Sequence, residues 1–286
     1  MRKIELNAYA KINLGLDVLR KREDGYHEVK MIMQTVDLYD VLKMETIEED
    51  KIELKTNISS LETDESNLVY KAIKLMKTEY NIQTGIRAEL TKNIPIAAGM
   101  AGGSTDCAAA IKGMNQLFDL NLTEDKLREL GKRLGADVPY CIMGGTALAE
   151  GIGEILTPLK SIKGDYIVIA KPNIAVSTKY VYDNLNLQER DNHPNIDYLI
   201  ECIENDNKRE LFSNMGNILE SVTVNKYGII NEIKKTLLEA GAINTLMSGS
   251  GPTVFAIFEN AETAHLACNK VKELYTLDKA IVTTLY

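Results

Sequence analysis

The chain has 286 residues, 45% of them hydrophobic, which is enough for two domains or for one large domain with a substantial core. Its 33 Lys and Arg against 41 Asp and Glu give a net charge of −8, so no general basic field attracts nucleic acid, and an aromatic content of 6% argues further against an RNA-binding module. No apolar run is long enough to span a bilayer and the N-terminus lacks a signal-peptide core, so we expect a cytoplasmic protein.

The cysteines and histidines show neither a disulfide pattern nor a metal-binding pattern. Cys107, Cys141, Cys202 and Cys268 are widely spaced, and free buried thiols in a reducing compartment are the default interpretation. The three histidines lack the spacing of metal ligands, and the chain contains no His-Glu-x-x-His sequence.

The first predicted elements are strands. Residues 2–19 alternate between apolar and polar types, which predicts a strand with Lys11 and Asn13 on its less apolar face. An Asp-Gly turn follows it at residues 21–25. The apolar stretch at 31–38 fits either a strand or a helix. Residues 41–46 and 51–56 are expected to form a pair of strands.

The middle of the chain is predicted to be mainly helical. The helix signals are an apolar stripe of helical period after Asn67 and a capping Thr123 with acidic residues directly behind it. The elements up to residue 149 are a helix, a strand, a glycine-rich loop with its following helix, a helix capped by Thr123, and a strand, at 67–80, 85–90, 95–118, 123–134 and 144–149.

A boundary is expected at residues 157–164, which would separate an N-terminal domain at 1–157 from a C-terminal domain at 158–286. Beyond the boundary we expect strands and helices at 166–170, 178–184, 196–204, 227–240, 253–258, 261–275 and 280–285. Because strands and helices mix without strict βαβ alternation, the predicted fold class is α+β rather than doubly wound α/β.

The stretch from Pro95 to Asp106 carries the strongest functional signal. It reads PIAAGMAGGSTD and leads into an expected helix that Ser104 or Thr105 would cap, with Asp106 in the first turn. A bare loop at a helix N-terminus offers free N–H groups and a favourable dipole to an anion, so we expect a nucleotide phosphate here. The alternative is a tight turn whose small residues allow close packing.

This loop carries neither G-x-x-x-x-G-K-[ST] nor G-x-G-x-x-G, so it has no lysine of its own to offset phosphate charge. Lys11, which is flanked by small and apolar residues, is the best candidate for the missing cation. Taken alone, it also fits a strand lysine whose ammonium group reaches water.

Two further features are candidates for the same site. Asp137 lies just past an expected helix end, where it is poorly placed to cap that helix. It is either available for chemistry or part of an Asx turn before Pro139. Residues 245–253 read TLMSGSGPT and form a second flexible loop that could close on phosphates or simply turn a strand.

The order of these features resembles the GHMP kinase family, a group of small-molecule kinases with an ATP loop of their own type. The family's three motifs are similar to residues 10–14, 95–106 and 247–253, and the resemblance covers essentially the whole chain. It implies a two-domain GHMP kinase fold, with an N-terminal lobe like ribosomal protein S5 domain 2 and a ferredoxin-like C-terminal lobe. It also implies ATP as co-substrate, with Mg²⁺. Ala101 stands where many members have glycine, which restricts the backbone angles there.

The resemblance also implies roles for particular residues. Lys11 and Asp137 would be the catalytic pair, and Asn13 would contact the substrate near the reacting hydroxyl. The protein ligand of Mg²⁺ is left open, with Ser104 or Thr105 as candidates. ATP would bind the loop residues Pro95, Ile96, Ala97, Ala98, Gly99, Met100, Ala101, Gly102, Gly103, Ser104 and Thr105.

Residues 24–27 and 134–139 resemble one branch of the family, whose small alcohol substrate carries a cytidine diphosphate group. This likeness implies that Tyr26 and His27 hold a cytosine, with Tyr182 as a second aromatic residue beside it. The alternatives are a kinase for mevalonate, homoserine or a sugar, and a non-catalytic member that binds nucleotide. Whether the chain is a monomer or a homodimer is left open.

Overall fold

The computed structural model describes residues 2–188 and 193–286, which form two compact units. Two long strands, β1 (Lys3–Lys21) and β2 (His27–Ile47), contribute residues to both units. The strand predicted at 2–19 is confirmed, and residues 31–38, which fitted either a strand or a helix, are part of a strand. The first unit comprises Met1–Ala10, Leu38–Ile96 and Ala101–Gly144, and the second comprises Lys11–Asp37, Ala97–Met100 and Gly145–Tyr286. The domain boundary expected near residue 158 stays a prediction.

The strands of the first unit are ordered around β4 (Gly85–Thr91). This strand pairs antiparallel with the end of β2 and parallel with β3 (Ile52–Thr56). Residues 41–46 and 51–56 are therefore strands, but the prediction that they pair with each other is wrong, because β4 lies between them. The local sequence of a short strand does not distinguish a hairpin partner from a strand that is reached through a crossover helix.

Four helices complete the first unit: α1 (Leu68–Glu79), α2 (Gly102–Leu117), α3 (Glu124–Lys132) and α4 (Val138–Met143). Side chains cap two of them, and the cap predicted at Thr123 is confirmed. The Asn67 side chain accepts a hydrogen bond from the N–H of Val69, and the Thr123 hydroxyl accepts one from the N–H of Lys126. Apolar residues of α1 and α2 form one buried core with the strands, led by Ile73, Met76, Ile111 and Met114.

The second unit contains two groups of strands. In one, the first half of β2 pairs antiparallel with β5 (Thr146–Gly151), β5 pairs with β6 (Ile155–Pro158), and β1 pairs in parallel with the two-residue β8 (Gly216–Asn217). The other is a four-stranded antiparallel sheet with the order β11 (Leu277–Thr284), β7 (Tyr166–Pro172), β10 (Val254–Phe258) and β9 (Asn244–Met247). Of its central strands, β10 is fully buried and β7 is buried except for the half-buried Tyr166.

The helices of the second unit are α5 (Thr178–Asp183), α6 (Ile196–Glu204), α7 (Lys208–Ser213), α8 (Glu220–Lys226), α9 (Ile229–Glu239) and α10 (Ala261–Leu274). The predicted helices at 178–184, 196–204, 227–240 and 261–275 are confirmed, whereas the short α7 and α8 were not expected. Helices α9 and α10 pack against the four-stranded sheet. Together with the first unit, this arrangement confirms the α+β class.

Two expectations from composition can be compared with the structure. All four cysteines are free, and three of them are buried while Cys141 is half-buried. Across residues 2–188 and 193–286, no helix combines the length and the apolar content that a bilayer crossing needs.

Candidate functional site

Lys11 is a buried lysine on β1, with only 5% of its surface exposed. Its ammonium donates to the Asn13 side-chain oxygen at 2.8 Å and to the carbonyl of Gly99 at 3.2 Å. Its own N–H donates to the carbonyl of Met100 at 3.2 Å. Lys11 therefore does not reach out to water. It supplies a positive charge to the glycine loop, as its place in the sequence suggested.

Of the loop predicted at 245–253, residues 245–247 belong to β9, and residues 248–253 join β9 to β10 and also contact the glycine loop. Gly99 has φ +71°, and a Cβ at this position would lie 2.1 Å from the carbonyl oxygen of Ser248. The Ser248 hydroxyl donates to the Gly99 carbonyl at 2.9 Å. Only glycine allows both this backbone conformation and this close approach. The second loop thus turns a strand and also fixes the apex of the first.

Helix α2 begins earlier than the sequence suggested. Its N-cap residue is Ala101, in the left-handed conformation at φ +58°, and no side chain caps it. The expectation that Ser104 or Thr105 is the N-cap is therefore wrong. Both residues lie inside the helix, because the left-handed Ala101 turns the chain into it first. The Thr105 hydroxyl instead donates to the carbonyl of Tyr9 at 2.7 Å.

The start of α2 keeps the backbone groups that an anion needs. The N–H of Thr105 donates to the carbonyl of Ala101 at 2.9 Å. The preceding N–H groups of Gly102, Gly103 and Ser104 have no backbone acceptor in the part of the first unit that the structure describes. Unpaired N–H groups at a helix start combine with the helix dipole to favour a negative ligand.

Asp106 is not in the first turn of α2, contrary to expectation. It is buried, and its Oδ2 accepts a hydrogen bond from the Lys92 ammonium at 2.7 Å. Lys92 also bonds Asp40, whose other oxygen accepts the N–H of Ile94 at 2.8 Å. Burial raises the pKa of Asp106 to about 8; the Asp40 charge adds to the rise and the Lys92 charge opposes it.

Sequence reasoning missed this cluster of Asp40, Lys92 and Asp106, called below the Lys92 cluster. Its three charges are separated by 52 and 14 positions along the chain. The available signal was a charged residue in or directly after an otherwise apolar strand, since such a residue is buried only when it is paired.

Asp137 occupies the N-cap position of α4, with helical backbone angles and no capping bond from its side chain. The Asx-turn alternative therefore lacks its hydrogen bond, and the half-buried carboxylate is not used to hold the helix. Helix α4 was not among the predicted elements, although it contains Pro139. Proline is compatible with the first turn, where its missing N–H has no acceptor anyway. Asp137 belongs to the first unit and Lys11 to the second, so their pairing stays a prediction.

The three predicted aromatic contacts all lie in the second unit. The rings of His27 and Tyr182 have centroids 5.0 Å apart. Burial lowers the pKa of His27, and the Lys21 charge lowers it further, so the ring tends to be neutral. Tyr26 is 61% exposed, and its N–H donates to Asp24 at 3.1 Å. An exposed tyrosine beside a ring pair can stack on a flat ligand, but its role stays a prediction.

Two family models match this chain, each in a different part of the sequence. The model for the GHMP kinases N terminal domain matches residues 67–145, and the model for the GHMP kinases C terminal matches residues 199–277. The chain belongs to the GHMP kinase family. The first match contains the glycine loop and Asp137, so the features found in the sequence lie where this family's N-terminal domain matches.

Curated relatives within the GHMP kinase family are similar over nearly the full length. The chain is 50% identical over 281 residues to 4-diphosphocytidyl-2-C-methyl-D-erythritol kinase of Caldicellulosiruptor bescii, covering 98% of each chain. It is 55% identical over 270 residues to the protein of the same name from Lachnospira eligens, covering 94% of this chain and 93% of the relative.

Solved structures of GHMP kinases confirm the expected fold. A crystal structure of 4-(cytidine 5'-diphospho)-2C-methyl-D-erythritol kinase matches with a TM-score of 0.84 and 29% identity, covering 99% of both chains. Homoserine kinase from Cytophaga hutchinsonii matches with a TM-score of 0.81 at 22% identity, which supports the fold alone.

Proposed function

We propose that this GHMP kinase transfers the γ-phosphoryl group of ATP to the 2-hydroxyl of 4-diphosphocytidyl-2-C-methyl-D-erythritol, in the non-mevalonate pathway to isoprenoid precursors. The observation that carries the proposal is the buried ammonium of Lys11 bonded to the Gly99 carbonyl of the glycine loop. A cation held beside a loop of small residues can neutralise the charge of a bound phosphate. The names of the curated relatives indicate which alcohol is the substrate. The free cysteines fit a reducing cytoplasm, which we propose as its location.

The triphosphate is held by the backbone rather than by a lysine of the loop. The residues from Pro95 to Thr105 contact ATP, and the free N–H groups of Gly102, Gly103 and Ser104 face its phosphate oxygens. Phosphoryl transfer depends mainly on positioning and charge neutralisation, so a preformed set of donors is the main requirement.

Asp137 accepts the proton of the substrate hydroxyl, or orients that hydroxyl for attack. Its carboxylate is half-buried and makes no capping bond, so it is available for this role. Lys11 offsets charge at the reacting oxygens and orients Asp137, and Asn13, which accepts from the Lys11 ammonium, contacts the substrate near the reacting hydroxyl. This arrangement combines a general base with electrostatic stabilisation of the transition state.

The chain supplies little to a metal ion by itself. Within the described ranges, no group of three or more His, Cys, Asp or Glu side chains is placed to hold one. The Thr105 hydroxyl already donates to Tyr9, so Ser104 is the better oxygen ligand. Mg²⁺ would neutralise phosphate charge and would be bound largely through the phosphates themselves, as is usual for this ion.

The cytosine of the substrate binds at Tyr26, His27 and Tyr182. The exposed Tyr26 ring offers a stacking face, while the His27 and Tyr182 rings contact each other at 5.0 Å. Because the pKa of His27 is lowered, the neutral imidazole can both donate and accept hydrogen bonds, which suits the edge of a neutral base.

A phosphorylation assay with purified protein and ATP tests this proposal. The substrates are 4-diphosphocytidyl-2-C-methyl-D-erythritol, mevalonate, homoserine and galactose, and phosphorus NMR locates the new phosphate. We expect the cytidyl alcohol to react with a kcat/KM at least a hundredfold above that of the other three alcohols. A preference for one of those three would replace the proposed substrate. Nucleotide binding without transfer to any alcohol would favour the non-catalytic alternative.

A further inference from the structure

Asn217 is a buried asparagine on the two-residue strand β8, with 7% of its surface exposed. Its side-chain nitrogen donates to the carbonyls of Met247 and Gly249, each at 2.8 Å. Its side-chain oxygen accepts the N–H of Leu219 at 3.0 Å. The two carbonyls flank Ser248, so one amide group holds both sides of the residue that contacts the glycine loop.

The contacts of Asn217 reach the glycine loop through Ser248, which bonds the Gly99 carbonyl. This carbonyl accepts hydrogen bonds from the Ser248 hydroxyl at 2.9 Å and from the Lys11 ammonium at 3.2 Å. A trans peptide places its C=O and the next N–H on opposite sides. Fixing the Gly99 carbonyl therefore turns the N–H of Met100 away from Ser248 and Lys11. Among the described residues of the second unit, that N–H has no backbone acceptor.

Strand β1 holds both Lys11 and Asn217, the residues at the two ends of this series of contacts. It carries Lys11, and further along it pairs in parallel with β8, where Gly15 lies opposite Gly216 and Leu16 opposite Asn217. Asn217 and Lys11 are thus fixed to the same strand, and they act on the Gly99 peptide from two directions. A support built from a strand and a buried amide holds a loop more rigidly than a surface contact does.

We propose that Asn217 is a positioning residue for the nucleotide. It holds the Ser248 loop against Gly99, so that the Gly99–Met100 peptide presents its N–H to a phosphate of ATP. The inference rests on the proposed function in requiring that ATP binds at the glycine loop. It does not depend on which alcohol is phosphorylated.

The chemistry of the amide explains why this position holds asparagine. The group must donate twice and accept once, and an asparagine side chain can satisfy all three contacts. Alanine would leave two buried carbonyls and the Leu219 N–H without partners. Aspartate would set carboxylate oxygens against the two carbonyls and would lose both donors.

Asn244 provides a matched control. Its side-chain nitrogen donates to the carbonyl of Phe212 at 2.8 Å, and its oxygen accepts the N–H of Thr245 at 2.8 Å. It therefore makes the same kinds of bonds in the same unit, but it holds the start of β9 rather than the Ser248 loop. Asn244→Ala reports the general cost of losing a structural asparagine.

The test is calorimetric titration of a non-hydrolysable ATP analogue into wild type, Asn217→Ala, Ser248→Ala and Asn244→Ala, followed by steady-state kinetics. We expect Asn217→Ala to weaken nucleotide binding about tenfold or more and Ser248→Ala several-fold, as loss of buried hydrogen bonds implies. Asn244→Ala should stay within twofold of wild type. The KM for the alcohol should change less than twofold in every variant, because the contacts concern only the nucleotide.

A double variant tests whether Asn217 acts through Ser248. If it does, the double variant Asn217→Ala/Ser248→Ala should bind the analogue no more weakly than Asn217→Ala alone, because Asn217 affects the glycine loop only through Ser248. Fully additive losses would overturn this route. Equal losses in Asn217→Ala and Asn244→Ala, or unchanged nucleotide binding in Asn217→Ala, would overturn the proposal itself.

Asn217→Asp keeps the test decisive if the alanine variant does not fold. A buried carboxyl between two carbonyls takes up a proton more readily and then regains one donor. Its nucleotide affinity relative to wild type should therefore improve as pH falls from 8 to 6. A ratio that does not change with pH would count against the positioning role. Should wild type bind the analogue yet fail to phosphorylate the cytidyl alcohol, the proposed substrate falls, and the binding ratios still decide this inference.

Discussion

The ammonium of Lys92 lies 2.7 Å from Oδ2 of Asp106, and both residues are buried, with 8% and 3% of their surfaces exposed. The same ammonium bonds Asp40, which is fully buried. Lys92 lies at the end of β4, directly before the glycine loop, and Asp106 lies in α2, directly after it. One lysine therefore joins the strand that enters the loop to the helix that leaves it.

Removing the lysine of this cluster should destabilise the protein strongly. Lys92→Met leaves the buried carboxyl groups of Asp40 and Asp106 without their cation, and we expect the free energy of unfolding to fall by about 3–5 kcal/mol. Urea unfolding followed by circular dichroism measures it. The control is Lys74→Met, which removes an exposed ion pair with Glu65 and should change the unfolding free energy hardly at all. Similar losses in both variants would contradict the importance of the buried cluster.

The stability contributed by Asp106 should depend on pH in a defined direction. Its pKa is raised to about 8 in the folded protein, so the folded state binds the proton more tightly than the unfolded state. Stability from this group is fully present below the ordinary pKa of an aspartate and is lost as pH rises through about 8. The difference in unfolding free energy between wild type and Asp106→Asn should therefore shift against wild type from pH 5 to pH 8. A difference that stays constant with pH would show that Asp106 is not protonated in the folded protein.

Elements set by local chemistry could be predicted from the sequence, whereas those set by tertiary contacts could not. The cap at Thr123 follows from a side-chain oxygen next to the first free N–H groups, and it is confirmed. The start of α2 depends on a left-handed Ala101, which an alanine adopts only when surrounding contacts impose it. The pairing of β4 between β2 and β3 depends on a crossover that no local pattern specifies.

The close approach at Gly99 should make this glycine irreplaceable. In Gly99→Ala, a Cβ would lie 2.1 Å from the Ser248 carbonyl oxygen, so one of the two loops must move. We expect the KM for ATP to rise on the order of tenfold to a hundredfold, because small displacements of positioning groups are costly. Gly164→Ala is the control, since Gly164 has a similar φ of +85° but open space around its Cβ position. It should show only backbone strain of about 1–2 kcal/mol and a normal KM. Equal KM values in the two variants would contradict the account of the loop.

The aromatic residues of the second unit should act on the cytidyl substrate and not on ATP. Tyr26→Ala and Tyr182→Ala should each raise the KM for the cytidyl alcohol about tenfold, as loss of base stacking of about 1–3 kcal/mol implies. The matched control is Tyr180→Ala on the same helix as Tyr182, because Tyr180 contacts the Lys226 ammonium instead of His27. Steady-state kinetics with each substrate varied in turn gives both KM values. Parallel increases for ATP and the alcohol would remove these residues from a cytosine platform.

For the candidate site, the sequence identified the parts but not the way they are supported. Lys11 and the glycine loop were found through composition and order, and the structure joins them through the Gly99 carbonyl. Asn217 gave no signal, because a lone asparagine before an apolar residue is common and its partners lie 30 and 32 positions away. Buried amides and buried ion clusters of this kind become visible only when tertiary structure brings distant residues together.

The most direct test of the central claim is the rate of phosphoryl transfer to 4-diphosphocytidyl-2-C-methyl-D-erythritol by Asp137→Asn. The variant keeps the size of the side chain but cannot accept the proton, and the native carboxylate makes no capping bond, so its stability should match that of wild type. We predict a kcat about 10²-fold or more below that of wild type, with little change in the KM for ATP. A folded Asp137→Asn variant that transfers the phosphoryl group at a near-normal rate would contradict the account.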